Sequence, residues 1–227
     1  MAVKDFCTNG RIVFSVTQTD GRLLRGEHTR RLILDRAMQI ASVDGLDGLS
    51  IGRLASELEV SKSGVFTHFG AKEELQLATV RAAAEVFVEQ VIHPADQVPP
   101  GLSRVWRLCT ARLDYLRQPP FLGGCFFYAA AAEFDAKPGR VRDAIATGLR
   151  RWRRRHAVDI AEAIELGEIV EGTDPDQLAF ELDSLIRGGG ADALMFDDPS
   201  YFDRTRTALL RRLNDVAAPH ARGALAD

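Results

Sequence analysis

The chain is short of aromatic side chains, of cysteine and of any excess of one charge. Three cysteines stand in 227 residues, Cys7, Cys109 and Cys125. They form no C-x-x-C pair and no run with histidine at zinc-ligand spacing, and their odd number excludes a secreted disulfide framework. Reduced thiols and no bound metal are expected. Lysine and arginine total 29 against 32 aspartates and glutamates, a net charge of −3. Bulk charge therefore does not draw this chain to nucleic acid, and any such binding rests on local placement. The longest apolar stretches, such as Phe126 to Ala132, fall far short of the roughly 20 residues that cross a bilayer. Met1 is not followed by a basic segment leading into an apolar signal core. No G-x-S-x-G, metal-ligand spacing or phosphate-cradling loop occurs, so the sequence supplies no recognisable catalytic apparatus or cofactor site. A cytoplasmic protein with no membrane partner, no cofactor and no enzymatic activity is expected.

What is present is helix-forming. The chain is 46% hydrophobic and 27% charged, which excludes global disorder. Alanine, leucine, arginine and the two acids abound while strand-like alternation is scarce, so an all-α fold is expected. At roughly 150 residues per domain, the length suits one to two domains. Residues 1–26 carry Asn9-Gly10 and Asp20-Gly21 turn signals around one short apolar run and read as a flexible N-terminal arm, where Arg22 and Arg25 are suited to minor-groove contacts. From His28 a helical period begins, with Ile33, Ala37, Ile40 and Ala41 on one face, and ends at Asp44-Gly45 and Asp47-Gly48. Residues 27–75 form a first domain and 76–93 a connecting helix. That helix is expected to stop at His93-Pro94, because the residue before proline is pushed out of the helical region. Residues 94–227 form a larger helical domain after the proline-rich stretch Pro94 to Gly101.

Within the first domain, LSIGRLASELEVSKSGVFTHFGAKEEL runs from Leu49 to Leu75. Ser50 and Ser61 are suited to cap two short helices separated by a tight turn at Glu59 and Val60. A helix-turn-helix needs a small residue at the helix crossing, apolar residues flanking the turn and an apolar residue inside the second helix. Ala55, Leu58 with Val60, and Val65 meet those needs. The second helix then presents Lys62, Ser63, Gly64 and Thr67, small, polar or basic residues that allow close approach to a major groove. Ser50 and Arg53 are further expected DNA contacts. From Arg22 to Leu75 eight basic residues face eight acidic ones, so non-specific affinity is expected to be modest.

The tail Phe66-Thr67-His68-Phe69-Gly70-Ala71-Lys72-Glu73-Glu74-Leu75, together with Ser61-Lys62-Ser63-Gly64, resembles the signature of the TetR-type one-component transcriptional regulators. The resemblance spans Thr29 to Ala78. It implies a homodimer of all-helical subunits with a three-helix DNA-binding domain, a fourth helix leading to a ligand-binding and dimerising domain, and release of operator DNA by a small-molecule effector. It places Lys62, Thr67 and His68 on the DNA side of the recognition helix and Lys72 against a phosphate. Two positions depart from the pattern. Phe66 stands where the family usually has tyrosine, and Glu59 occupies a turn position often held by glycine, which a residue with a Cβ fills at a conformational cost.

The second domain is less patterned. Trp106, Phe121, Phe126, Phe127, Tyr128 and Phe134 are the candidate lining of an effector pocket. Glu133 interrupts this apolar run, where an ion pair or exposure is expected ahead of recognition of a cationic ligand. The run Arg150 to His156 winds around its helix and reads as a solvated surface. Asp174-Pro175 and Asp198-Pro199 are helix starts. Gly188-Gly189-Gly190 within a helical pattern signals either a bend or the close approach of a symmetry-related helix. It joins Leu182, Leu185, Leu209 and Leu213 as the candidate dimer surface, with Gly189 at its centre. Two competing readings are a thiol-dependent enzyme built on Cys125 or Cys109, and a helical interaction module that uses the helix-turn-helix as scaffold.

Overall fold

The computed structural model describes residues 18–225, and among them the only regular structure is helical. Helix α1 (Gln18–Asp44) starts ten residues before the apolar period does. Residues 18–26, expected in the flexible arm, are its first turns, while residues 1–17 of that arm lie outside the described residues. Leu24 in these turns is exposed and sends no periodic signal, and the Thr29 hydroxyl donates back to Arg25 O at 2.9 Å.

Helices α2 (Ile51–Glu57) and α3 (Lys62–Phe69) follow, each capped by the serine that the sequence offers. Ser50 Oγ accepts from Arg53 N at 3.1 Å and Ser61 Oγ from Gly64 N at 3.0 Å. Such caps are each worth about 1 kcal/mol. Ile33, Leu49, Leu54 and Val65 are fully buried, and Ala55 sits beside them. Burial of each large side chain contributes about 1.5–3 kcal/mol, and this shared core fixes α3 on α1 and α2. Glu59 takes φ 54°, the left-handed conformation its turn position demands.

Helix α4 (Lys72–Phe87) does not stop at His93-Pro94. It runs on through a π-helical turn, Val88–Ile92, into the short α5 (His93–Asp96). The His93 N–H reaches back to Val88 O. An ordinary turn would drive the carbonyl four residues before Pro94 into its ring, and the wider turn removes that clash. Helices α6 (Leu102–Arg117), α7 (Phe126–Phe134) and α8 (Arg140–Glu165) come next. The fold closes with α9 (Pro175–Met195), α10 (Ser200–Val216) and a 3-10 segment, Pro219–Leu225. Asp174 caps α9 as expected, accepting from Asp176 N at 2.9 Å and Gln177 N at 3.1 Å. Asp198 accepts from Ser200 N at 2.9 Å, one residue later than Asp-Pro spacing suggests.

Three of the leucines expected at a dimer surface, Leu182, Leu209 and Leu213, are completely buried inside the single chain. This corrects their assignment: they are core residues of the protomer. Gly189 is accounted for in the same way. A Cβ there would lie 1.7 Å from Thr205 Oγ1 on α10, and one on Gly190 2.8 Å from Leu116 on α6. Only Gly188 faces open space, and α9 continues through all three glycines. Leu185 is half-buried against the core.

Candidate DNA interface and effector cavity

The outer face of α3 carries Lys62, Ser63, Phe66 and Thr67, all exposed, with Gly64 and His68 half-exposed beside them. These residues are held in place from behind. Arg30 of α1 lies 4.6 Å over the Phe69 ring and donates to His68 O at 3.3 Å. Thr67 Oγ1 donates to Ser63 O at 2.8 Å, and Ser63 Oγ lies 3.1 Å from the capping Ser61 Oγ. The Lys62 ammonium folds back near Gly52 at the start of α2. Lys72 Nζ donates to Asp47 O at 2.6 Å, which uses one of its three donors and leaves the others for an anion. Arg53 differs from the rest. Asp44 at 2.7 Å and Glu57 at 2.9 Å neutralise its charge, and Glu57 also pairs with Arg36. Phe66 is 55% exposed. This large apolar ring in water is a feature of the recognition face that the sequence reading did not count among the candidate contacts, although its signal, a phenylalanine in a polar helix face, is visible in the sequence.

The α1–α2 turn is gripped by the second domain. Glu133 on α7 accepts from Leu46 N at 2.7 Å and from Asp47 N at 2.8 Å. Gly45, at φ 77°, approaches the same carboxylate so closely that a Cβ would lie 2.6 Å from Oε2. Lys137 pairs with Asp47 at 2.7 Å, and Gln76 on α4 donates to Leu46 O at 2.9 Å. The Lys137 ammonium beside Asp47 holds its carboxyl below the usual carboxylate range. Glu133 is thus a clamp on the DNA-binding domain; its place in an apolar run reflects partners supplied by backbone N–H groups. A second tie joins α1 to the loop before α7: Gly123 N donates to Ser42 Oγ at 3.0 Å, and Gln39 bonds both Pro120 O and Leu122 N at 2.9 Å.

An apolar cavity, about 700 Å³ including its open mouth, lies where α4 ends. Phe87, Val88 and Ile92 wall it from α4 and the π turn, Arg112 from α6, Phe127 and Tyr128 from α7, and Leu149, Arg151 and Trp152 from α8. The enclosed part holds about 180 Å³, so a ligand seated there is small or reaches into the mouth. Of the six aromatic residues nominated from sequence, Phe127 and Tyr128 line it. Phe121, Phe126 and Trp106 are buried elsewhere in the core, Trp106 beneath the Arg206 guanidinium at 4.8 Å. Phe134 borders a separate shallow depression with Ala131 and Leu149. Of the arginine run, Arg155 pairs with Asp96 at 2.6 Å and Arg153 with Asp183 at 3.5 Å. Trp152 within that run is buried, stacked edge-on to Phe87 with centroids 5.1 Å apart. Burial pushes the Cys109 thiol up to about 12, the opposite of what a catalytic nucleophile requires. Among the described residues no helix is long and apolar enough to cross a membrane.

A three-helix reader domain tied through α4 and α7 to a cavity-bearing helical domain defines a helix-turn-helix transcription regulator. Residues 33–79 match the family model for bacterial regulatory proteins of the tetR family, and residues 101–209 match the tetracyclin repressor-like C-terminal domain. The chain belongs to the TetR family, whose members are ligand-responsive DNA-binding regulators. No curated protein matches it. Among solved structures, a TetR regulator from Chloroflexus aurantiacus is similar with a TM-score of 0.80 at 23% identity, over 86% of this chain and 98% of that one. A regulator from Saccharomonospora viridis in complex with choline has a TM-score of 0.71 at 22% identity, over 85% and 99% of the two chains. AibR, in complex with isovaleryl coenzyme A and operator DNA, has a TM-score of 0.57 at 19% identity, over 69% and 82%. These likenesses establish the fold.

Proposed function

We propose that this chain is a repressor that binds a palindromic operator as a homodimer and is released from it by a small molecule held in the α4–α8 cavity. The observation that carries the reading is the course of α4. Its first turn holds Lys72 beside the recognition helix, and its last turn, Phe87, forms the cavity wall. A ligand that favours one position of that helix by the usual 1–3 kcal/mol changes DNA affinity about 5- to 150-fold. AibR, crystallised with both a small ligand and operator DNA, supports the pairing of these two roles in the fold. In this reading Lys62, Ser63, Gly64 and Thr67 enter the major groove, Phe66 stands at its rim beside the DNA backbone, and Ser50, His68 and Lys72 meet phosphates. Arg53 is an intramolecular ion-pair residue. The dimer forms through the outer face of α9, where Phe180, Gly188, Leu194 and Met195 stand exposed, with α10 packed beside it.

Selection of binding sites from a random duplex library tests the reading. An enriched inverted repeat is expected, and no enrichment at low salt would defeat it. With the selected site in hand, Lys72→Ala is expected to weaken all sequences alike and to flatten the logarithmic salt dependence by about two per dimer. An unchanged slope would remove Lys72 from the interface. Phe66→Tyr is expected to strengthen binding about fivefold per subunit, one added hydrogen bond to phosphate being worth about 1 kcal/mol. Loss of affinity in fluorescence anisotropy would mean instead that the Phe66 ring meets an apolar group on the DNA.

A further inference from the structure

We propose that the α4–α8 cavity takes a singly charged carboxylate with an apolar body, the carboxylate resting on Arg112; this rests on the reading of that cavity as the effector site. Arg112 is 2% exposed yet lines the cavity. Nη2 donates to Cys125 Sγ at 3.0 Å, while Nε and Nη1 have no hydrogen-bond partner. It makes no ion pair among the described residues, and its surroundings are rings: Phe87 and Tyr128 at 4.8 Å and Tyr115 at 5.0 Å. The nearby buried acid is already engaged. Asp183 accepts from Trp152 Nε1 at 2.8 Å and Tyr128 Oη at 3.2 Å, and Arg153 lies at 3.5 Å.

A guanidinium cannot shed its proton, so Arg112 carries full charge in a buried, aromatic place. Ring faces return part of the lost hydration and satisfy none of the N–H groups. The missing component is an anion. Each alternative ligand class fails on the same wall. A quaternary ammonium, the kind of ligand bound by the Saccharomonospora viridis neighbour, would enter an aromatic cage that Arg112 already occupies with like charge. A neutral ligand would seal the cation in without a partner. A dianion would exceed the one buried charge. The second cation of the lining, Arg151, is exposed, where it draws anions inward, and no aspartate or glutamate lines the cavity.

The test is calorimetric titration of the purified protein with decanoate, decanol, decyltrimethylammonium and decyl phosphate, with Trp152 fluorescence as a second readout. Decanoate is expected to bind at least tenfold more tightly than decanol, with the ammonium weakest and the phosphate below the carboxylate. Arg112→Met is expected to erase the preference for decanoate while decanol binding persists. Should that variant fail to fold, the wild-type ranking decides, joined by Arg151→Ala, which should lower decanoate affinity two- to fivefold and leave decanol unchanged. Equal affinity for decanoate and decanol, tighter binding of the ammonium or the phosphate, or no saturable binding by any of the four overturns the proposal. Release of operator DNA is followed separately by anisotropy. Release by decanol without preference for the acid sinks the charge assignment and leaves the effector reading intact. Selective decanoate binding that never affects DNA does the reverse.

Discussion

Glu133→Ala is expected to lower stability by about 2–4 kcal/mol, to weaken operator binding more than tenfold and to blunt the response to effector. The carboxylate receives the Leu46 and Asp47 backbone N–H groups, and hydrogen bonds to a charged group are worth about 1.5–3 kcal/mol each. Its loss leaves a part-buried Leu46 N–H without an acceptor and frees Lys137 from one of its two acidic neighbours. The α1–α2 turn, on which Lys72 also rests, then loses its tie to α7, the helix that carries Phe127 and Tyr128 into the cavity wall. Thermal denaturation and operator anisotropy with and without ligand measure the three effects. Glu133→Gln keeps one good acceptor and should fall midway. A variant with unchanged melting temperature and unchanged ligand response would show that α7 does not transmit the signal.

Lowering the pH from 7.5 to 5 is expected to cost about 2 kcal/mol of stability through His156 alone. Burial holds this imidazole well below its ordinary value, at about 4 against 6.5, with the Arg112 and Arg155 charges acting the same way and Asp183 opposing. Above 6.5 neither folded nor unfolded chain binds the proton, so the group has no effect there. Between 6.5 and about 4 the unfolded chain takes it up and the folded chain does not, and stability falls by about 1.4 kcal/mol per pH unit, to a total loss of about 3 kcal/mol. Both ring nitrogens of His156 are buried without partners, and the ring lies 4.3 Å from Trp152. His156→Phe therefore removes no hydrogen bond and should flatten the pH profile while leaving the stability at pH 7.5 the same or higher. Urea titrations of both proteins at the two pH values decide it. Parallel losses in wild type and variant would assign the acid sensitivity to other groups.

The helix-turn-helix was legible because its determinants are local. Two serine caps, a four-residue turn and the spacing of Leu54, Ala55 and Val65 lie within one short stretch, and each acts on its own neighbours. The cavity was half legible. Phe127 and Tyr128 announce themselves in an apolar run, but Phe87 is hidden in an ordinary helix and Trp152 among arginines. Arg112 did leave a trace. Leu108, Cys109, Tyr115 and Leu116 stand three and four residues to either side, so the charge sits in the middle of the apolar face of α6. The misassigned leucines show the opposite limit. Leu182, Leu209 and Leu213 have the spacing of a buried stripe, and periodicity says that a face is covered without saying by which chain. Glu133 was unreadable for a related reason: its partners are backbone amides more than 80 residues away.

The seating of α9 decides which parts of a dimer are able to move. Gly189 and Gly190 bring its backbone against Thr205 and Leu116 with no side-chain layer between, and a tilt in either direction meets an atom at once. Helices α6, α9 and α10 therefore behave as a single housing, and the proposed dimer joins two housings face to face. In such a machine the joint between subunits is the fixed bearing. Under the proposed mechanism, the change in spacing between the two recognition helices is expected to come from the shaft within each protomer, α4 with the clamped α1–α2 turn, swinging against a frame that stays still.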